Sequence, residues 1–177
     1  METYLKYYPD EERLRKLLLT HSRCVAEKAL AVADAHPELN ADKDFIYRAA
    51  MLHDIGIASC DAPGIYCFGE LPYICHGIEG ARILAEDGLF KEALVCERHT
   101  GSGLTAEEIE EAALPLPARD MLPISIEEKI ICYADKFYSK NPDSLTIAKP
   151  IDRIRAELAR FGEAPLRRFD LLHELLG

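Results

Sequence analysis

The stretch Ala49-Ala50-Met51-Leu52-His53-Asp54-Ile55-Gly56 decides the fold that we predict for this chain. A histidine followed directly by an aspartate stands at the end of an apolar run, and the spacing of that run predicts a helix packed into a core. Burying a charged carboxylate beside an imidazole is costly unless its charge is compensated. A divalent metal bound by both groups is a usual compensation. The His53-Asp54 pair is therefore the first candidate for a metal site.

The composition is that of an ordinary globular protein. The chain has 177 residues, 49% of them hydrophobic and 29% charged, which is enough for a single domain with a substantial core. We find neither an apolar run of the roughly 18 residues that a bilayer-spanning helix needs nor a signal-peptide pattern. We therefore expect the chain in the cytoplasm, with its six cysteines reduced.

The net charge of −10 bears on the kind of partner. Binding to a nucleic-acid polymer depends on clustered lysines and arginines, so the charge argues against such a partner. It does not exclude a small phosphorylated substrate, because a bound metal supplies local positive charge. We accordingly expect no nucleic-acid polymer and no membrane as a partner.

The hydrophobic periodicity is helical along the chain, and no stretch alternates as a strand, so the predicted fold class is all-α. Thr20 is predicted as the N-cap of a helix from about His21 to Ala35, preceded by a shorter helix. Gly56 is predicted to stop the helix that ends at His53-Asp54. The remaining helices are predicted from His76 to Gly88, over 90–99, from Thr105 to Ala113, from Ile126 to Lys140, from Pro150 to about Phe161 and from Leu166 to Leu176.

The connection over residues 57–75 is long for a compact domain, and long connections without secondary structure are often functional. It carries the aromatic residues Tyr66, Phe68 and Tyr73, which are candidates for a lid. The segment also contains two prolines and two glycines, which is typical of a loop.

A set of histidines and aspartates recurs at predicted helix ends and on one apolar helix face. A histidine at a helix end has an alternative role, because it can cap the helix or lie in solvent. Asp135 is more informative, because it lies in an apolar face and a buried aspartate needs a partner. The candidate metal ligands are His21, His53, Asp54, His76, His99 and Asp135.

The order of these residues resembles that of the HD superfamily of metal-dependent phosphohydrolases. The motif here is His21, His53-Asp54 and Asp135, with Ile55-Gly56 completing the His-Asp-Ile-Gly variant. The extra His76 and His99 make the chain similar to small stand-alone members from bacteria and archaea. The resemblance covers residues 20–142 and implies an orthogonal multi-helix bundle, with helices over 150–177 packing on that core in a single domain of residues 1–177.

The resemblance implies one or two transition metals, with Asp54 bridging between a site of His21, His53 and Asp135 and a site of His76 and His99. Imidazole and carboxylate ligands suit Fe, Mn, Zn, Co or Ni. A metal-bridging hydroxide would then attack a phosphate ester or anhydride of a small nucleotide or other phosphorylated compound. Asp54 therefore counts as catalytic as well as a metal ligand.

The candidate phosphate contacts are Arg98, Lys136 and Lys140, each adjacent to a predicted ligand helix. Ile57 departs from relatives that have a lysine soon after the His-Asp pair, which counts against a dinucleoside polyphosphate or a cyclic dinucleotide as substrate. Two alternatives remain open, a non-catalytic nucleotide-sensing module and a di-iron oxygenase of the same fold. The amphipathic terminal helix either completes the core or forms a homodimer.

Overall fold

The computed structural model describes residues 6–177, and within them the predicted all-α class is confirmed. The described residues contain eight α-helices and a two-stranded antiparallel ribbon. The helices are α1 Glu12–Ala35, α2 Lys43–Leu52, α3 His76–Glu86, α4 Phe90–Arg98, α5 Ala106–Glu111, α6 Ile126–Asp135, α7 Ile151–Leu158 and α8 Glu163–Leu176. The ribbon pairs β1 Asp61–Ala62 with β2 Cys67–Phe68.

Helix α1 is one continuous helix, so the predicted break at Thr20 is wrong. Thr20 is helical, and its hydroxyl donates to the carbonyl of Lys16 at 2.8 Å. The buried positions of α1 follow helical spacing from Leu14 through His21 to Ala33, with no proline or glycine to interrupt them. His21 therefore lies in the middle of a helix rather than in a first turn, held by packing on both sides.

The central helices pack around one core. Helix α1 contacts α2 and α6, α2 contacts α4 and α6, and α4 contacts α3 and α6. Fully buried side chains from three of these helices meet in that core, among them Val25, Ile46, Ala49, Ile130 and Ile131. Burying apolar area of this kind is the main favourable contribution to folding. The polar ligand candidates lie at the ends and faces of these same helices.

The C-terminal helices pack on the central bundle through the same core. Ile154 and Leu158 of α7 and Phe169, Leu172 and Leu176 of α8 all belong to it. Leu175, next to Leu176 on α8, is 41% exposed and lies outside that core.

The connection between α2 and α3 contains ordered turns, so its prediction as a structureless segment is wrong. Short 3₁₀ turns cover Ile55–Ser59, Pro63–Ile65 and Tyr73–Cys75, and the β1–β2 ribbon lies between the first and the last. Of its aromatic residues, Phe68 is 74% exposed, whereas the ring of Tyr73 packs on His76. This segment is one wall of the site described below.

Gly56 serves a purpose different from the predicted helix stop. A Cβ atom at this position would lie 2.2 Å from the carbonyl oxygen of His76 and 2.3 Å from the amide nitrogen of Gly80. The backbone after His53-Asp54 therefore contacts the backbone of α3 directly. Only glycine permits this approach, which brings the two ligand-bearing segments together.

None of the helices in the described part of the chain combines the length and the apolar character that crossing a membrane requires.

Candidate metal centre

The structure brings the six predicted ligand candidates together at one buried point. They come from five different helices or the residues that directly follow them, and none is more than 6% exposed. Their ligand atoms form two overlapping groups, each with all its atoms within 4.8 Å of one another. The groups are His21, His53, Asp54 and Asp135, and Asp54, His76 and His99.

The first group surrounds one oxygen of Asp54. Its Oδ2 lies 3.2 Å from Nε2 of His21 and 3.1 Å from Nε2 of His53. Oδ1 of Asp135 lies 3.1 Å and 3.5 Å from the same two nitrogens. Two imidazoles and two carboxylates thus alternate around a small space, which is a donor set that suits transition metals.

The second group surrounds the other oxygen of Asp54. Its Oδ1 lies 3.4 Å from Nε2 of His76 and 3.3 Å from Nε2 of His99. The two Nε2 atoms are 3.1 Å apart. Asp54 therefore presents one oxygen to each group, which is the arrangement that a bridging carboxylate requires.

Three of the four histidines are oriented by the same local hydrogen bond. Nδ1 of His53 donates to the carbonyl of Ala50 at 2.6 Å, and Nδ1 of His76 and His99 donate to Tyr73 and Cys96 at 2.7 and 2.8 Å. Each acceptor lies three residues earlier, in the final turn of α2 for His53, in the final turn of α4 for His99, and in the 3₁₀ turn that leads into α3 for His76. The hydrogen bond at Nδ1 therefore directs Nε2 of each histidine towards the centre, as in histidines that bind metals.

This hydrogen bonding makes the cluster fit a metal. A carbonyl only accepts, so Nδ1 carries the proton and the neutral ring presents an Nε2 lone pair. The facing Nε2 atoms of His76 and His99 would repel each other unless a cation lay between them. Oδ1 of Asp54 and Nε2 of His53 are also buried without a well-directed hydrogen bond from any described residue. Such orphaned atoms are costly in a core, and metal coordination would satisfy them.

Burial and charge shift the pKa values of the cluster in different directions. Burial disfavours the charged form of His76 and lowers its pKa to about 3, and it also lowers the pKa of His99. Burial acts in the same direction on His53, but the charges of Asp54 and Asp135 outweigh it and raise that pKa to about 9. The imidazoles of His76 and His99 therefore stay neutral at pH 7, as imidazole ligands must.

The three predicted phosphate contacts have different surroundings. Nζ of Lys140 forms an ion pair with Oδ2 of Asp54 at 2.7 Å, and Nζ of Lys136 forms one with Oδ2 of Asp135 at 2.8 Å. Lys140 follows the end of α6, because that helix ends at Asp135 rather than at Lys140 as predicted. Arg98 forms an ion pair with Glu128 at 3.0 Å, so its guanidinium holds α4 to α6.

Two tyrosines contribute to the site: Tyr73, which was predicted only as a candidate lid residue, and Tyr8, which was not predicted at all. The ring of Tyr73 lies 4.8 Å from that of His76, centroid to centroid, and the Tyr73 carbonyl accepts the proton of His76 Nδ1. The buried hydroxyl of Tyr8 donates to the carbonyl of Met51, just before the His53-Asp54 pair. The position of Tyr73, three residues before His76, was the available signal, whereas nothing local indicated Tyr8.

A helical bundle with buried imidazoles and carboxylates converging at its centre defines a class of metal-binding helical proteins. The chain belongs to the HD domain family, whose family model matches residues 18–139. The match includes all six clustered side chains and begins within α1.

Curated relatives resemble the chain over most of its length. A tRNA (cytidine(56)-2'-O)-methyltransferase of Picrophilus torridus is 34% identical over 76% of this chain and 38% of its own length, and one of Thermoplasma volcanium is 29% identical over 98% and 48%. An uncharacterised protein of Methanocaldococcus jannaschii is 38% identical over 67% of this chain and 64% of its own length. The chain thus spans from over a third to just under two thirds of these relatives. No solved structure matches it significantly.

Proposed function

We propose that the chain is a metal-dependent phosphohydrolase or phosphodiesterase that acts on a small nucleotide or another phosphate ester. The observation that carries this proposal is the arrangement of six buried ligand candidates around the two oxygens of Asp54, with Lys140 on one of those oxygens. His21, His53, Asp54 and Asp135 would hold one metal, and Asp54, His76 and His99 a second. Fe, Mn, Zn, Co and Ni all suit such ligands.

The metals would supply an activated water molecule and positive charge for the phosphate oxygens. The protein would fix the positions of the ligand side chains and supply further positive charge. The imidazoles of His53, His76 and His99, each fixed through Nδ1 to a carbonyl, hold their Nε2 atoms in place without reorganisation. The ammonium groups of Lys140 and Lys136 lie beside the carboxylates at the edge of the cluster, where they would stabilise negative charge that develops on phosphate.

The names of two relatives include methyl transfer to tRNA, and we do not extend that activity to this chain. The chain spans 38% and 48% of those two proteins. We propose that the methyl transfer of these two relatives belongs to the parts of them that this chain does not match. The proposed hydrolytic site belongs to the matched part. The net charge of −10 agrees with that division, because tRNA is a polyanion. Transfer of a methyl group to tRNA by this chain alone would contradict that division of activities.

The decisive experiment is to purify the full chain without chelator and to count its metals by elemental analysis. Phosphate release is then followed over a panel of nucleotides and phosphate esters with Mn, Fe, Co and Ni. We expect close to two metals per chain and phosphate release from at least one ester class, with both lost in Asp54→Ala. Tight nucleotide binding by the metal-loaded protein without turnover would favour a sensing module. Oxygen uptake with an organic substrate, without phosphate release, would favour a di-iron oxygenase.

A further inference from the structure

A surface cavity of about 610 Å³ adjoins the proposed metal centre and shares two of its side chains. Lys140 lines the cavity, and its Nζ lies 2.7 Å from Asp54 Oδ2. Tyr73 also lines it, and its ring packs against His76. A group bound at the metals would therefore extend into this cavity, whose size is within the range of small-molecule sites.

The walls of the cavity are apolar and aromatic. One side is formed by the turn over Pro63–Ile65, and the other by the segment from Tyr138 to Pro142 that follows α6. Tyr73 and Tyr138 both contribute to the lining. Tyrosines offer a flat apolar surface with a polar end, which suits a ring that carries hydrogen-bonding groups.

Neutral hydrogen-bond donors lie in the same lining. Ser139 Oγ accepts the amide of Asn141 at 3.0 Å, so its hydroxyl proton remains for donation. Asn141 Oδ1 accepts the amide of Asp143 at 3.0 Å, so the side-chain nitrogen of Asn141 is the end that can donate to a ligand. These donors suit sugar hydroxyls and the carbonyl or ring nitrogens of a base.

Positive charge is scarce in the cavity. Lys140 is the only charged side chain among the described residues that line it, and its ammonium group is directed at Asp54. Of the other two candidates for contact with a phosphate chain, Arg98 is paired with Glu128 and Lys136 with Asp135. A polyphosphate chain extending from the metals would enter a cavity whose one cation is already paired, so its additional anionic charges would find no cationic partner.

We propose that this cavity binds the uncharged nucleoside of a nucleoside monophosphate, and that nucleoside monophosphates are preferred over di- and triphosphates and dinucleoside polyphosphates. The inference rests on the proposed hydrolytic function. Water adds to phosphorus, the P–O5′ bond breaks, and the products are inorganic phosphate and a nucleoside whose 5′ oxygen takes a proton. The neutral product leaves through the open cavity.

Kinetics with the metal-loaded full chain test the preference. The value of kcat/KM is measured for AMP, ATP, diadenosine tetraphosphate and glycerol 2-phosphate. We expect the kcat/KM for AMP to exceed that for each of the other compounds by roughly tenfold or more, which corresponds to about 1.4 kcal/mol. Equal or faster turnover of ATP or diadenosine tetraphosphate would overturn the inference and leave the hydrolytic function standing. Equal turnover of glycerol 2-phosphate would exclude nucleoside recognition.

Binding of adenosine provides a readout that does not depend on activity. Calorimetric titration of the full chain, with and without metal, should show saturable binding that Tyr73→Leu weakens roughly three- to tenfold. Tyr47→Leu is the matched control, because Tyr47 is 36% exposed against 38% for Tyr73 and lies on α2 outside the cavity lining. Absence of adenosine binding, or an equal effect of both substitutions, would overturn the inference. Adenosine binding without phosphate release from any ester would reject the hydrolytic function alone.

A charge added to the cavity wall should change the preference. A Cβ atom at Gly64 would meet nothing within 4 Å, so a longer side chain is accommodated there. Gly64→Arg is expected to raise the ratio of kcat/KM for ATP to that for AMP by roughly tenfold, because guanidinium pairs with phosphate. Gly64→Gln adds a side chain of comparable length without charge and should leave the ratio of kcat/KM for ATP to that for AMP unchanged. A ratio unmoved by Gly64→Arg would contradict the charge argument.

Discussion

The histidines at 53, 76 and 99 perform two tasks through their two ring nitrogens. Nδ1 caps the preceding helical turn, and Nε2 is thereby directed to the centre. Helix capping was the alternative to metal binding that the sequence left open for these histidines. In the structure, the capping hydrogen bond is what orients each ligand candidate. His21 differs, because it lies within α1 and its Nδ1 has no hydrogen-bond partner among residues 6–177. Its orientation depends on packing and on the contacts of its Nε2 with the carboxylates of Asp54 and Asp135.

His99→Ala separates the two proposed metal sites. The substitution removes one nitrogen from the group of Asp54, His76 and His99 and leaves the other group complete. We expect the metal content to fall from about two per chain to about one, and elemental analysis at increasing metal concentration measures this loss. His53→Ala, as the contrasting variant, should lose the first metal and all turnover. Full metal content in His99→Ala would show that His99 is not a ligand.

At the scale of elements, the close contact between the turn after α2 and the start of α3 sets the spacing of the centre. Gly56→Ala would place a Cβ atom 2.2–2.3 Å from backbone atoms of His76 and Gly80, which cannot move aside as a side chain can. We expect a loss of about 2–3 kcal/mol in the free energy of unfolding, together with weaker binding of the second metal, because α3 carries His76.

Urea unfolding and metal titration measure these two effects. Gly64→Ala is the matched control for Gly56→Ala, since its Cβ would meet nothing within 4 Å. That control should change the free energy of unfolding by less than about 0.5 kcal/mol. Equal stability of the two variants would show that the backbone contact at Gly56 is not required.

Helix α5 is held to α8 by one carboxylate. Glu108 completes the capping box with Thr105, and both its oxygens lie 2.8 Å from Nη2 of Arg168. Burial alone would raise the pKa of Glu108, but the Thr105 amide and the Arg168 guanidinium outweigh it and lower that pKa. Folding thus favours the ionised form of Glu108. Its contribution to stability is fully present above the pKa that Glu108 has in the unfolded chain, and it is lost as the pH falls through the lower pKa that Glu108 has in the folded chain.

Glu108→Gln should therefore lower the free energy of unfolding at pH 7 by about 1–2 kcal/mol. The difference from the original chain should shrink below about pH 4, where the glutamate becomes protonated as well. Urea unfolding across pH 3–7 tests this. Glu110→Gln, an exposed position on the same helix, is the control and should show no such dependence. A difference that stays constant with pH would rule out the ionic contribution.

At the scale of the whole molecule, the proposed metals would join helices that are distant in the chain. The two carboxylates are held together by neighbouring imidazoles and by Lys140 and Lys136. Metal that binds the folded chain alone stabilises it by mass action, by about 2.7 kcal/mol at a hundredfold excess over Kd. Removal of metal by a chelator should therefore lower the melting temperature, and added Mn or Ni should restore it.

Asp54→Ala is the control for this stabilisation, because it removes the carboxylate shared by both groups. Its melting temperature should not respond to metal or chelator. A metal-dependent shift of the same size in Asp54→Ala would show that the metal binds elsewhere. Calorimetric or fluorescence melting of both proteins, at equal protein concentration, makes the comparison.

Much of the architecture was predictable because it depends on local patterns. The helical class, the start of α3 at His76 and a short helix beginning at Thr105 follow from hydrophobic spacing and capping chemistry, and the structure has all three. The continuity of α1 through Thr20 was missed because a threonine is acceptable both as an N-cap and within a helix. The ordered turns over 57–75 were missed because their hydrogen bonds join residues that are distant in sequence, such as Asp61 and Leu71.

The helices, the HD resemblance and the identities of six ligand candidates can be read from the amino-acid order alone, because residue type and helical spacing are local properties. The folded chain was needed to show that these side chains meet around the two oxygens of Asp54 and that Arg98 is paired with Glu128. It was also needed to show the cavity beside the centre, in which Lys140 is the single charged residue among the described lining residues. Distances between helices depend on how their buried faces pack and on contacts such as that of Gly56 with α3, which no local pattern specifies.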